Sequence, residues 1–192
     1  MSSKGKLFLI LGPSGSGKGS LIGCLKKKHP EFVFPVSVTS REIRLGEIEG
    51  NVYHFVSKDV FEKKIEENEL LEWAVVHQNN YYGTLKKPIF EAIENNQTVI
   101  REVDIQGFEL IREIIPVDQL VSIFIMPDSI ENLVEIIRNR SKISDEEVQR
   151  RVFSAKVEIE KSDECDYIIY NSDGHINEAV EEVEKIILKE SN

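Results

Sequence analysis

The chain has 192 residues, 41% of them apolar and 30% charged, with two cysteines and a formal net charge of −10. That length suits one globular domain with a substantial core, and the acidic balance repels nucleic acid and anionic membrane surfaces, so an anionic ligand needs a local basic pocket. Cys24 and Cys165 fit no metal or disulfide framework, no apolar run reaches the roughly 18 residues of a membrane span, and the opening MSSKGKLFLILG lacks a signal-peptide core, so a reducing, cytoplasmic setting is expected.

The first element is KLFLIL, a continuous apolar run that meets glycine, as a buried parallel strand does before a turn. The stretch that follows, LGPSGSGKGS, fits GxxxxGK at Gly12, Gly17 and Lys18, between a predicted strand and a predicted helix. Glycines let the backbone turn and aim several N–H groups at one phosphate, the helix N-terminus adds partial positive charge, and Lys18 supplies a full one. Gly12, Pro13, Ser14, Gly15, Ser16, Gly17, Lys18, Gly19 and Ser20 therefore form the expected donor-phosphate cradle. In many such loops a hydroxyl follows the lysine and ligates Mg²⁺; here that place is Gly19, and Ser20 lies about 100° further round the helix. Leu21, Ile22 and Leu25 then recur at helical spacing, Lys26 to Lys28 suit the negative helix end, and Pro30 stops the element.

Residues 37–97 break this rhythm with charged and aromatic sequence and short extended pieces, NVYHFV and LLEWAVVH, and read as an inserted mixed α/β subdomain. Buried strands resume at TVIREVDI, LVSIFIM and YIIYN, and residues 129–161 read as a charged helical pair in which SDEE, Ser144 to Glu147, has the capping-box form. Alternating strands and helices predict a single α/β domain over 1–192 with a three-layer core and a largely parallel sheet, built from 1–36, 98–128 and 162–192. REVDIQG places Glu102 and Asp104 on one face of its strand, where two carboxylates beside a phosphate loop suit metal-bound water or acceptor recognition. Arg101 points the other way and needs a partner or an edge position.

Over nearly its whole length the chain resembles the guanylate kinases. GPSGSGKGS, SVTSREIRLGEIEGNVYHFVS, LLEWAVVHQNNYYGT, REVDIQG, DSIENL, RNRSKISDEEVQRRV and YNSD appear in the family's order and spacing. The resemblance implies a P-loop core with a GMP-binding subdomain at 37–97 and a helical lid at 129–161. It also implies transfer of the γ-phosphoryl group of ATP to GMP or dGMP, in purine nucleotide metabolism, by a monomer or homodimer that binds neither nucleic acid nor membrane. Adenylate kinases carry Lys-Gly-Thr in this loop, so Lys-Gly-Ser is compatible with phosphoryl transfer. Mg²⁺ is then expected mainly on the nucleotide phosphates and waters, with Ser20, Glu102 or Asp104 around it.

Guanine presents N1–H and its N2 amino group beside the O6 acceptor, which a carboxylate and a hydroxyl can select. Glu72 resembles the family's guanine-reading glutamate, with Thr84 offering a hydroxyl to O6, Ser37 a further polar contact and Asp104 a second carboxylate. Arg41 and Arg44 are expected on the acceptor phosphate with Tyr53 and Tyr82, and Glu47 is expected to orient one of the arginines. Lys18, Arg41, Arg140 and Arg151 form the expected catalytic set, and Asn171 resembles a residue near the donor adenine. Read without the family, Glu72 is an ordinary strand residue, SREIRLGE a charged loop, the lid arginines solvated charges and Asn171 a turn former.

The chain departs from the family at Ile43, usually proline, at Arg101, usually apolar, at Ile136, usually a lid arginine, and at Ser141-Lys142, usually Gly-Thr; HQNNYYG is also one residue longer than the family's turn. Two rival readings follow. A non-catalytic phosphopeptide-binding module of the same build is disfavoured by intact Gly17, Lys18 and lid arginines and by the lack of appended domains. A kinase for a phosphorylated sugar has no use for Glu72 with Thr84.

Overall fold

The structure, a computed structural model, describes residues 5–76, 79–140, 143–172 and 175–191. In chain order these form β1 (Lys6–Leu11), α1 (Lys18–Lys28), β2 (Ser37–Thr39), β3 (Tyr53–Phe55), α2 (Lys58–Glu66), β4 (Leu70–Val76), β5 (Asn80–Leu85) and α3 (Lys86–Glu94). There follow β6 (Thr98–Glu102), α4 (Ile105–Ile111), β7 (Leu120–Pro127), α5 (Ile130–Arg140), α6 (Asp145–Glu160), β8 (Tyr167–Asn171) and α7 (Ile176–Glu190).

The main sheet runs in the order β6-β1-β7-β8 and every pairing in it is parallel. Side chains alternate across β1 because a strand repeats every second residue. Leu7, Leu9 and Leu11 pack on one face with Ile89 and Ile93 of α3 and Phe108 and Ile111 of α4. Phe8 and Ile10 pack on the other with Leu21 and Leu25 of α1 and Val180 and Val183 of α7. These two layers make the expected three-layer α/β core. Each fully buried side chain of this size contributes about 1.5–3 kcal/mol, so β1 is firmly anchored and holds the loop that follows it in place.

The second sheet has the order β3-β2-β5-β4, with β2 and β3 parallel and the other pairs antiparallel. A register irregularity between Leu70 and Glu72 lets two successive leucines be buried: Leu70 joins the small core of this sheet and Leu71 joins the main core. That kink aims Glu72 toward the first turn of α4, where a Cβ added to Gly107 would lie 3.6 Å from Glu72 Cγ.

Helices α5 and α6 pack through Leu133, Ile137 and Ala155. Ser144 caps α6, its hydroxyl accepting from the Glu147 N–H at 3.3 Å, as the SDEE pattern leads one to expect.

One sequence expectation is corrected here. The strand read from TVIREVDI stops at Glu102, and Asp104 caps α4 by accepting the Gly107 N–H at 2.7 Å. Val103 and Ile105 continue the apolar alternation, but the short carboxylate side chain satisfies an orphan helix donor and turns the chain into a helix.

Candidate active site

The loop between β1 and α1 lines a cleft of about 830 Å³, a volume suited to a bound ligand of nucleotide size. Gly17 stands at the N-cap of α1 with φ +92° and offers no side-chain cap, so the first amide groups of the helix have no side-chain acceptor in competition with a phosphate. Its lack of a side chain is required twice over. A Cβ here would meet Asn171 Nδ2 at 2.3 Å, and the positive φ is costly for any other residue. Lys18 arches back over the loop, donating to the Gly12 carbonyl at 2.6 Å and the Pro13 carbonyl at 3.0 Å, and its ammonium lies 3.7 Å from Glu102 Oε1. The loop thus stores a nearly buried cation beside uncapped amides. That is the chemistry for holding a polyphosphate.

Gly19 lines the cleft as well, and a Cβ there would meet nothing within 4 Å. Space therefore does not demand glycine, and the missing hydroxyl leaves Ser20, also on the cleft wall, as the nearest one in α1. Asn171, at the end of β8, donates to the Ser16 carbonyl at 2.8 Å and so ties the loop to the sheet. Its carboxamide borders a second cavity of about 300 Å³ on the far side of the loop, together with Asp128 and Ile176.

Ser37 and Arg101 also line the cleft, and Glu72, 3.8 Å from Arg101, and the fully buried Thr84 adjoin them as the second layer of that wall without lining the cleft themselves. The Thr84 hydroxyl donates to Glu72 Oε1. In this geometry Thr84 orients Glu72. Arg101 lies on β6, the outermost strand of the main sheet, whose outer edge is bridged by Val33, and its guanidinium donates to Ser37 Oγ at 2.7 Å. Burial pulls its pKa below the ordinary arginine range, while Glu72, at 3.8 Å, and Glu102 oppose that pull.

Arg41 is 9% exposed and held at both ends of its fork by Glu47, at 2.9 and 3.0 Å. The rings of Tyr53 and Phe55 lie 5.6 and 5.4 Å from its guanidinium, and Tyr53 packs edge-on against Tyr82. The hydrogen bond to Glu47 raises the Arg41 pKa and depresses that of Glu47, so both remain charged. Arg44 is exposed, and Glu47 accepts its backbone N–H at 2.8 Å.

Helices α5 and α6 contribute in an unexpected way. Ile136 lines the cleft, and a Cβ on Gly15 would sit 3.4 Å from it, so where the family carries an arginine an apolar side chain packs over the loop. Arg151 is paired with Glu147 one turn earlier at 3.0 Å and is not among the residues lining the cleft. The backbone of Arg140 ends α5; its side chain, and Ser141 and Lys142, lie outside the described residues.

Sequence reasoning missed Glu158. It lines the cleft from α6, and burial, opposed by Lys18 and aided by Asp104, pushes its pKa up to about 7. A signal existed, since Val148, Ala155 and Glu158 share one helical stripe whose first two members are buried.

Comparison with known proteins places this geometry. The family profile described as guanylate kinase matches residues 4–190. A guanylate kinase of Carboxydothermus hydrogenoformans is 41% identical over 187 residues, covering 97% of this chain and 89% of that one. One from Trichodesmium erythraeum is 40% identical over 183 residues, covering 95% and 96%. Among solved structures, guanylate kinase from Anaplasma phagocytophilum superposes with a TM-score of 0.74 at 29% identity, over 98% of this chain and 87% of that one.

Proposed function

The chain belongs to the guanylate kinase family, and we propose that its cleft grips ATP at the β1–α1 loop and GMP at the Glu72 wall, phosphate to phosphate. It is an ATP:GMP phosphotransferase, giving ADP and GDP. The observation that carries this reading is the juxtaposition, in one cleft, of Lys18 with its uncapped helix amides and of Ser37 and Arg101 from the Glu72 wall.

Neither substrate needs a protein nucleophile. Alignment of the two phosphates and neutralisation of the migrating charge supply the catalysis. Lys18 leaves its carbonyl partners for donor phosphate oxygens, while Arg41, fixed by Glu47 and the aromatic rings, offers its remaining N–H groups to the acceptor phosphate with Tyr53, Tyr82 and Arg44. Glu72, oriented by Thr84, accepts guanine N1–H and N2–H. Residues 37–97 serve as the acceptor-binding part and 129–161 as the lid, whose closure brings Arg140 and Arg151 toward the transferred group and excludes water.

The cleft fits Mg²⁺ carried in by the nucleotide. Glu102 and the second oxygen of Asp104 lie beside the loop with Glu158 on the same cleft, Ser20 is the hydroxyl in α1, and no cluster of three acidic, histidine or cysteine ligands occurs among the described residues. Such a sparse set suits an ion that keeps most of its waters and its phosphate ligands. When bound, the ion neutralises developing phosphate charge. The reading places the enzyme in the cytoplasm, where ATP and GMP meet.

Titration of GMP and AMP by calorimetry into the wild type and Glu72→Ala tests the acceptor assignment. Binding of GMP but not AMP, weakened at least tenfold by the substitution, is expected; equal binding of both nucleotides contradicts it.

A further inference from the structure

Arg101 is where the sequence departs most sharply from expectation, and its surroundings give it a task. It projects from β6 of the main sheet, yet its partners belong to the inserted part: Ser37 Oγ accepts from its guanidinium at 2.7 Å, and Glu72 Oε1 lies 3.8 Å away. The Pro35 carbonyl is a further, long contact at 3.5 Å. The side chain is 17% exposed, its Nε is buried without a partner among the described residues, and it lines the cleft beside Ser37.

A buried guanidinium has donors only, and that one-sidedness fixes the chemistry of its neighbours. Because Ser37 Oγ accepts from Arg101, one of its lone pairs is engaged and its proton is available to a base in the pocket. Because the Arg101 guanidinium stands beside Glu72 and Thr84 donates to the same carboxylate, Glu72 faces donors and presents acceptor oxygens. The wall therefore reads donor at Ser37 and acceptor at Glu72. Guanine offers the complement, an O6 acceptor beside N1–H and N2–H donors. Adenine offers the reverse, an N6 donor beside an N1 acceptor, and would leave groups of like kind facing each other.

We propose that Arg101 is a positioning residue that sets the hydrogen-bond polarity of the acceptor-base pocket, and so the preference for guanine over adenine, by acting through Ser37 and Glu72. The inference rests on the assignment of this pocket to GMP. It also accounts for a charge where an apolar side chain would avoid the desolvation penalty.

Calorimetric Kd values for GMP and AMP in the wild type, Arg101→Met and Ser37→Ala test it without relying on turnover. Arg101→Met is expected to weaken GMP about tenfold while AMP binding stays level or tightens, because a freed Ser37 can turn its lone pair to N6. Ser37→Ala, which removes the acceptor and leaves Arg101 in place, is expected to lower the GMP-to-AMP ratio about threefold. A structural role alone would weaken both nucleotides in parallel. A parallel loss, or an unchanged ratio in Arg101→Met, overturns the proposal; should that variant fail to fold in a thermal melt, an unchanged ratio in Ser37→Ala does so. Wild-type turnover with GMP, measured separately, checks the parent reading, so the two can fail independently.

Discussion

Glu47 holds Arg41 with both carboxylate oxygens, at 2.9 and 3.0 Å, and also accepts the backbone N–H of Arg44 at 2.8 Å. One acid thus sets the direction of a nearly buried guanidinium and the shape of the turn beside it. Glu47→Gln keeps the shape but loses the charge, and is expected to raise KM for GMP about three- to tenfold with KM for ATP unchanged. Steady-state kinetics with each substrate varied in turn decides; a lowered KM for GMP would mean that Glu47 competes with phosphate. The folded pKa of Glu47 is depressed, so the pair's contribution is present at neutral pH and lost as pH falls below the ordinary carboxylate range.

Lys18 bonds only backbone carbonyls of its own loop and lies 3.7 Å from Glu102, so its removal leaves little of the fold unsatisfied. Lys18→Ala is expected to lower kcat on the order of 10²–10³-fold, with circular dichroism unchanged. Near-normal kcat in the variant would remove the loop from the mechanism.

Two glycines separate conformational need from accident. Gly17→Ala forces a Cβ to within 2.3 Å of Asn171 Nδ2 at φ +92° and is expected to destabilise by about 1–3 kcal/mol while raising KM for ATP. Gly23 lies inside α1 with nothing within 4 Å of an added Cβ. Gly23→Ala is expected to stabilise by about 0.5–1 kcal/mol, read as a higher Tm with unchanged kinetics. Melting temperatures that moved together in the two variants would contradict this assignment.

Glu158 carries the pH dependence of the cleft. Its folded pKa is raised from 4.5 to about 7, so between those values the folded state keeps a proton that the unfolded chain has lost. Its contribution therefore declines as pH rises through that window. Glu158→Gln removes this slope and is expected to be more stable than the wild type at pH 8 by about 1 kcal/mol, allowing for partial solvent screening, and equal to it at pH 4. Thermal melts of both proteins across that range check it; parallel curves would place the Glu158 carboxyl in water.

The sequence carried most of the core because local pattern and tertiary burial agree there. KLFLIL, LVSIFIM and YIIYN are predominantly apolar, and the strands they become lie in a parallel sheet. Agreement fails where a partner is distant or a polar side chain changes the backbone's course. Arg101 finds Ser37 across 64 positions of sequence, which no local spacing announces. Asp104 ends a strand that apolar alternation alone would extend. Of the expected site residues, Gly12, Ser14, Gly15, Gly17, Lys18, Gly19, Ser20, Ser37, Tyr53, Glu102 and Asp104 line the cleft together, and Glu72, Thr84, Arg41, Arg44, Tyr82 and Arg151 do not. Thr84 and Asn171 are bonded to Glu72 and to the loop, partners distant in sequence that no local spacing announces.

The most direct test of a cleft built to join ATP to guanine nucleotide is a coupled assay of ADP production with GMP, AMP, UMP and CMP offered separately in the presence of Mg²⁺. Rapid, saturable ADP release with GMP, and rates at least a hundredfold lower with the other three, is the expected result. Comparable rates with AMP, or no release with GMP, would contradict the account.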